Sequence, residues 1–121
     1  MADAGLFVGF GQPARAREQQ ALEVFNRALA LYAELQARGD IDSFEPVLLE
    51  PHGGDLSGFI LIRGTPDQLH ELRHTDDFRR ITARAGLVVE QLGVVDAHVG
   101  EGISSQLAIY EQQMREQLDA G

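Results

Sequence analysis

The chain of 121 residues contains no cysteine, which excludes disulfides, thiol catalysis and thiolate metal sites. It also contains no lysine. Its ten basic residues are all arginine, and 19 acidic residues outnumber them, for a net charge of −9. Phosphate backbones and anionic lipid surfaces repel such a chain. We therefore expect neither nucleic acid nor membrane among its partners.

Long apolar runs and a leader segment are also missing. No stretch approaches the roughly 20 apolar residues needed to span a bilayer. Residues 1–12 lack the basic and apolar regions of a secretory signal. By default these observations predict a cytoplasmic protein, and the length predicts a single domain over residues 1–121.

Apolar periodicity and turn residues predict the element order β-α-β-β-α-β-α. The expected strands are 6–11, 41–50, 56–63 and 87–99, and the expected helices are 15–38, 65–84 and about 103–118. Thr65, Pro66 and Gln68 form a capping-box pattern, and the helix that they begin should break near His74. Pro46 places its strand at a sheet edge or a bulge, and Gly93 predicts a bulge.

The first six elements have the order of the split βαβ, ferredoxin-like arrangement. The predicted fold class is therefore α+β, with a four-stranded antiparallel sheet and two helices on one of its faces. The core of this domain is expected to span residues 5–100, followed by the C-terminal helix.

The predicted strands are apolar on both faces, whereas an antiparallel sheet with one wet face alternates apolar and polar residues. The apolar runs are 6–8, 47–49, 59–62 and 87–89. Two helices cover only one face of such a sheet, and a large exposed apolar patch is unusual on a monomer. The C-terminal helix could cover part of the second face, and a second copy of the sheet could cover more. We therefore expect a homodimer formed through the sheet face.

Residues 59–100, FILIRGTPDQLHELRHTDDFRRITARAGLVVEQLGVVDAHVG, resemble the second βαβ half of uncharacterised members of the dimeric α/β-barrel superfamily. The resemblance covers about residues 5–100 and implies two ferredoxin-like sheets paired face to face. The superfamily includes cofactor-free monooxygenases, haem-dependent enzymes, isomerases and many small proteins of unknown role. The resemblance therefore implies a fold and an assembly, and leaves the function open.

Asp96 and His98 lie two residues apart on the last predicted strand and so share one face of it. A carboxylate beside an imidazole orients the ring and raises its basicity, which suits a general base. Arg63, on a strand expected to be adjacent, would hold the negative charge of a substrate or enolate. The simpler alternative is a solvent-exposed strand end at which this pair has no role.

The segment His70-Glu71-Leu72-Arg73-His74 matches the HExxH pattern, in which two histidines hold zinc and the glutamate acts as general base. Arg73 inside the motif and a helix end at His74 both disfavour a metal site. The alternative is a solvated helix face that has the pattern by chance.

Gly9–Ala14 matches the GxGxxA form of a dinucleotide fingerprint. That site needs a parallel strand next in the chain, whereas a hairpin is predicted here. The alternative is a glycine-flanked strand and turn.

Three functional hypotheses remain. The first is a homodimer that binds a small molecule or has a structural role, without a cofactor or a metal. The second is a cofactor-independent, monooxygenase- or isomerase-like enzyme acting on a small, apolar, anionic substrate. It would use His98 as base, Asp96 to orient it and Arg63 to stabilise negative charge. The third is a zinc hydrolase built on His70, Glu71 and His74.

Overall fold

The structure, a computed structural model, describes residues 3–120. Its elements are β1 (Ala4–Phe10), α1 (Glu18–Ala37), β2 (Ser43–Leu48), β3 (Gly58–Gly64), α2 (Pro66–His74), α3 (Asp76–Val88), β4 (Gly93–His98) and α4 (Glu101–Ala120). The predicted element order is confirmed, including the break that separates α2 from α3. Within the described residues, no helix is long and apolar enough to cross a membrane.

The four strands form one antiparallel sheet in the order β2-β3-β1-β4. This order is that of the split βαβ arrangement, so the predicted α+β, ferredoxin-like fold is confirmed. Pro46 lies in β2, which is an edge strand as predicted. Proline is tolerated there because an edge strand leaves half of its amides without a ladder partner.

Two local caps fix where α2 and α3 begin. The Thr65 hydroxyl accepts from the Gln68 amide at 3.1 Å, and the Gln68 side-chain oxygen accepts from the Thr65 amide at 2.8 Å. The Thr75 hydroxyl accepts from the Phe78 amide at 3.3 Å. The predicted Thr65 cap is confirmed, and so is the cap that Thr75, Asp76 and Asp77 indicate in the sequence just after the predicted break. Each satisfies amides that a helix start leaves unpaired.

The core lies between the sheet and the helices α1, α2 and α3. Its buried residues are Leu6, Val8, Ala28, Tyr32, Leu35, Ile41, Ile60, Ile62, Leu69, Leu72 and Phe78. In the sequence, Leu22, Phe25, Leu29, Tyr32 and Leu35 recur every three or four residues, which predicts one apolar face of α1. For Leu22 this prediction is wrong, because Leu22 is 59% exposed. Ala21 and Val24 are the buried residues of that turn, and they pack against Val88 of α3.

The predicted strand 87–99 is wrong in its first part. Helix α3 continues through Gly86 to Val88, and the strand begins only at Gly93. Gly93 pairs directly with Gly9, so it is not a bulge. An interior glycine costs a helix roughly 1 kcal/mol relative to alanine, and the packing of Val88 against α1 offsets that cost.

Replacing Thr65 with alanine is expected to lower the free energy of unfolding by about 1 kcal/mol, because the Gln68 amide loses its acceptor. The matched control, Thr65→Ser, keeps the oxygen and should unfold close to the wild-type protein. Urea unfolding followed by circular dichroism measures both variants. Equal losses for alanine and serine would contradict the capping role.

Candidate functional site

The side of the sheet away from α1, α2 and α3 is called the open face here. Its residues, by strand, are Ser43, Glu45 and Val47, then Phe59, Leu61 and Arg63, then Gly5, Phe7 and Gly9, then Gly93, Val95 and Ala97. At its centre the rings of Phe7 and Phe59 stack with centroids 5.1 Å apart. A Cβ on Gly9 would lie 2.5 Å from the Phe7 ring, so only glycine lets the ring lie there.

No described helix packs across this open face. The main contact that α4 makes with the rest of the chain is with β4. Val95, beside Phe7, remains 56% exposed. The expectation that the sheet is apolar on both sides therefore holds for β1 and β3, and the C-terminal helix does not supply the second cover.

An apolar cavity of about 300 Å³ lies on the other side of the sheet, between α1, α3 and the strands β1 and β3. Its lining includes Val8, Phe10, Ala21, Val24, Phe25, Ala28, Tyr32, Ile60, Ile81, Ala85 and Val88. Ligand sites of small molecules occupy roughly 300–1,000 Å³ and are mostly apolar with a few polar groups. The apolar cavity has both properties.

Three alanines explain why the space is there. Ala21 and Ala28 of α1 and Ala85 of α3 line the cavity, and the first two are buried. A larger apolar side chain at any of them would fill the gap that close packing normally removes. The neighbouring Leu22 instead lines the cavity from an exposed position.

Tyr32 supplies the polar handle of the cavity. The residue is 2% exposed, and this burial raises the pKa of its phenol far above the ordinary value. Desolvation is the whole cause, and no hydrogen bond from a described residue contributes to it. Tyr32 therefore stays a neutral hydroxyl that can donate to a bound molecule.

The other polar groups that line the cavity differ in availability. The Thr82 hydroxyl already donates to the Phe78 carbonyl at 2.7 Å. Among the described lining residues, Glu18 is the only charged one, and it lies in the exposed first turn of α1. The cavity thus offers the hydroxyl-bearing residues Tyr32 and Ser57, and one carboxylate at its border.

A polar cleft of about 1460 Å³ lies between α2, α4 and the end of β4. Asp96 and His98 both line it, because they point to the helix side of the sheet, level with Leu6 and Ala4. The Arg73 guanidinium donates to an Asp96 carboxylate oxygen at 3.1 Å. The spacing of Asp96 and His98 was correctly taken to place them on one face, and their catalytic roles stay predictions.

Arg63 lies elsewhere. It is level with Gly5 on the open face, and β1 separates its strand from β4. The expectation that Arg63 neighbours Asp96 and His98 is therefore wrong, because the sheet itself lies between them. Arg73 is the cation beside Asp96, and it follows the buried Leu69 by four residues, which places it on the inner side of α2.

His70 and His74 lie side by side at the end of α2, with ring centroids 4.6 Å apart. His74 Nδ1 donates to the His70 carbonyl oxygen at 2.8 Å, which leaves only Nε2 of that ring for a ligand. Over residues 3–120, no group of three or more histidine, aspartate or glutamate side chains is placed to hold a metal ion.

Backbone amides of the glycine-rich segment 9–14 are already hydrogen-bonded to another part of the chain. The Gly11 amide donates to the Glu90 carbonyl at 2.8 Å, and the Ala14 amide donates to the Val88 carbonyl at 2.7 Å. Helix α1 begins only at Glu18. These amides do not face a phosphate, so the segment joins β1 to the end of α3 instead.

Comparison with family models and with curated proteins found no match. Solved structures do match. A dimeric ferredoxin-like protein of unknown function from Bacteroides fragilis is 15% identical, with TM-score 0.61 over 79% of this chain and 95% of that one. A second, from Jannaschia sp., is 14% identical, with TM-score 0.61 over 79% and 99%. The chain has a ferredoxin-like fold.

A third solved structure with this ferredoxin-like fold has a stated activity. SnoaB, a cofactor-independent oxygenase from Streptomyces nogalater, is 17% identical, with TM-score 0.54 over 82% of this chain and 95% of that one. Identities this low establish the ferredoxin-like fold alone. The resemblance to dimeric ferredoxin-like proteins is thereby confirmed in fold.

The buried Tyr32 predicts a pH dependence of stability. Its folded pKa lies above the unfolded value of about 10, so the unfolded chain loses the phenol proton first as the pH rises. The contribution of Tyr32 to the free energy of unfolding is therefore constant below about pH 9 and falls above about pH 10. Tyr32→Phe should flatten that fall, measured by urea unfolding between about pH 8 and pH 11. Parallel curves for both proteins throughout would contradict the assignment.

Proposed function

We propose that the protein is a homodimer that binds a small, largely apolar molecule in the apolar cavity of each protomer. The observation that carries this proposal is the cavity itself, with its alanine-lined space and buried Tyr32 donor. Apolar surface supplies the affinity in such sites, and a single well-placed polar group fixes orientation. Tyr32 fits that second role, because its side chain lines the cavity and its phenol can donate to an acceptor on the ligand.

The charges around the cavity specify the ligand further. Glu18 lies at its border, and none of the described residues that line it is an arginine. A carboxylate or phosphate on the ligand would meet a like charge there, so a neutral molecule with one carbonyl or hydroxyl oxygen suits the site best. The anionic substrate considered from the sequence depended on Arg63, which lies on the open face.

Filling the cavity should abolish binding of a neutral apolar probe. Prodan, a neutral naphthyl ketone whose fluorescence shifts to the blue in apolar surroundings, should bind the wild-type protein saturably, one molecule per protomer. Ala28→Leu adds three carbons to the cavity wall and is expected to weaken binding by about five- to 150-fold, since overpacking costs roughly 1–3 kcal/mol.

The matched control is Ala33→Leu, the same change at an exposed position of the same helix, which should leave binding unchanged. Ala21→Leu is a second filling variant if Ala28→Leu unfolds. Circular dichroism checks that each variant is folded. Equal affinity in a folded filling variant and in the control would refute the cavity as the site.

The open face supports the homodimer. Phe7, Phe59 and Leu61 form an apolar centre that no described helix covers, and Glu45 and Arg63 flank it as a polar rim. A two-fold axis through such a patch pairs it with itself, which is how most homodimers form. Two of the ferredoxin-like structures compared above are dimeric, and their fold is the one observed here.

A charge at the centre of the open face should break the dimer. Leu61→Glu places a carboxylate against the apolar centre, where pairing would bury it unpaired. The variant is expected to run as a monomer at micromolar concentration in size-exclusion chromatography with light scattering. Leu87→Glu, the same change at a 76% exposed position of α3, is the control and should keep the dimer mass. A monomeric wild-type protein, or a dimeric Leu61→Glu variant, would refute this interface.

A catalytic role is the second candidate, in the form of a cofactor-independent, oxygenase- or isomerase-like enzyme. The fold shared with SnoaB supports it, together with the place of Asp96 and His98 in the polar cleft. His98 would act as base there, but Asp96 is paired with Arg73 and Arg63 is on the other face. Binding in the apolar cavity is therefore the better-supported proposal.

A further inference from the structure

Helix α4 carries an apolar stripe that its own domain does not cover. The stripe consists of Ile103, Leu107, Tyr110, Met114 and Leu118. Each of these side chains is between 48% and 76% exposed. A contiguous row of five large apolar side chains on a solvent-facing helix marks an interaction surface.

The stripe is turned away from the domain to which α4 belongs. Another side of the helix, with Gly102, Ser105, Gln106 and Ile109, borders the polar cleft. Gly102 lies against the Asp3 backbone so closely that a Cβ there would collide with it. This contact holds the start of α4 in place with the stripe outward, so the chain cannot cover the stripe without turning the helix.

The spacing of the stripe is self-complementary. Its first four residues recur at intervals of four, three and four, which is the seam spacing of two paired helices. Ile103 and Leu118 are equally distant from the point between Tyr110 and Glu111, and so are Leu107 and Met114. An antiparallel copy of the same helix therefore places Ile103 opposite Leu118 and Leu107 opposite Met114, with the two Tyr110 side chains on either side of the axis.

We propose that α4 pairs antiparallel with α4 of a second copy, about a two-fold axis near Tyr110. Ile103 then packs against Leu118 of the partner subunit, and Leu107 packs against Met114 of the partner subunit. The two Tyr110 rings lie next to the axis. A two-fold contact of this kind uses the same patch on both copies.

The apolar area that the stripe can bury is smaller than that of a standard interface. At the observed exposures, five side chains of 150–200 Å² offer roughly 500 Å² per protomer, against about 800 Å² in a standard interface. The helix pair alone is therefore a small interface, and the sheet-paired homodimer proposed above would bring the two copies together. It adds a second contact between the same two copies.

Cysteine cross-linking tests the pairing cleanly, because the chain has no cysteine of its own. The purified full-length Tyr110→Cys variant, oxidised with copper-phenanthroline, is expected to become mostly a covalent dimer on a non-reducing gel. Gln112→Cys, on the opposite side of α4, is the matched control and should stay mostly monomeric.

Two further variants distinguish an antiparallel pair of helices from a parallel one. Ile103→Cys alone and Leu118→Cys alone should not cross-link, whereas a subunit-exchanged mixture of the two should. Cross-linking of each single variant with itself would mean a parallel pair and would overturn the proposal. No cross-link at Tyr110→Cys above the Gln112→Cys background would overturn it as well.

The Leu61→Glu and Tyr110→Cys variants together distinguish failure of the helix pairing from failure of the proposed sheet interface. If Leu61→Glu yields a monomer but Tyr110→Cys in the dimeric background does not cross-link, only the helix pairing fails. If Leu61→Glu leaves the mass unchanged while Tyr110→Cys cross-links, the sheet interface fails and the helix pairing stands.

Discussion

The constraint on which the rest of this structure depends is a sheet with two apolar faces and helices for only one of them. Strand β3 shows it directly, since Ile60 and Ile62 point into the core while Phe59 and Leu61 point to the open face. A strand with apolar side chains on both faces needs a cover on both sides. The first cover consists of α1, α2 and α3 of the same chain. The second is the partner sheet of the proposed homodimer, since α4 contacts β4 and no described helix packs across the open face.

Features set by neighbours in sequence could be predicted, and features set by distant packing could not. The Thr65 and Gln68 cap closes within three residues, so sequence alone identifies it. Leu87 and Val88 are different, because a short apolar run with β-branched residues suits a strand and a helix equally. Val88 packs against Ala21 and Val24, more than 60 positions earlier in the chain, and this contact stabilises the helix over the strand.

The candidate catalytic residues show the same difference between local features, which could be predicted, and features set by distant packing, which could not. Asp96 and His98 share a face because strand periodicity is local. Whether Arg63 joins them depends on strand order and register. The predicted ferredoxin-like order already places β1 between β3 and β4, which separates Arg63 from the pair. The register then decides the face, since Asp96 is level with Leu6 whereas Arg63 is level with Gly5.

The apolar cavity follows from a rotation of α1 that the sequence pattern did not reveal. The spacing favoured Leu22 as an inner residue, yet Ala21 is buried and Leu22 is exposed. Exposing a leucine while burying an alanine forgoes roughly 1–2 kcal/mol of apolar burial. A helix packed only for stability would bury Leu22 in place of Ala21. Departures of this kind from the best packing concentrate at functional sites, so the exposed Leu22 at the border of an alanine-lined space is itself an argument for a ligand there.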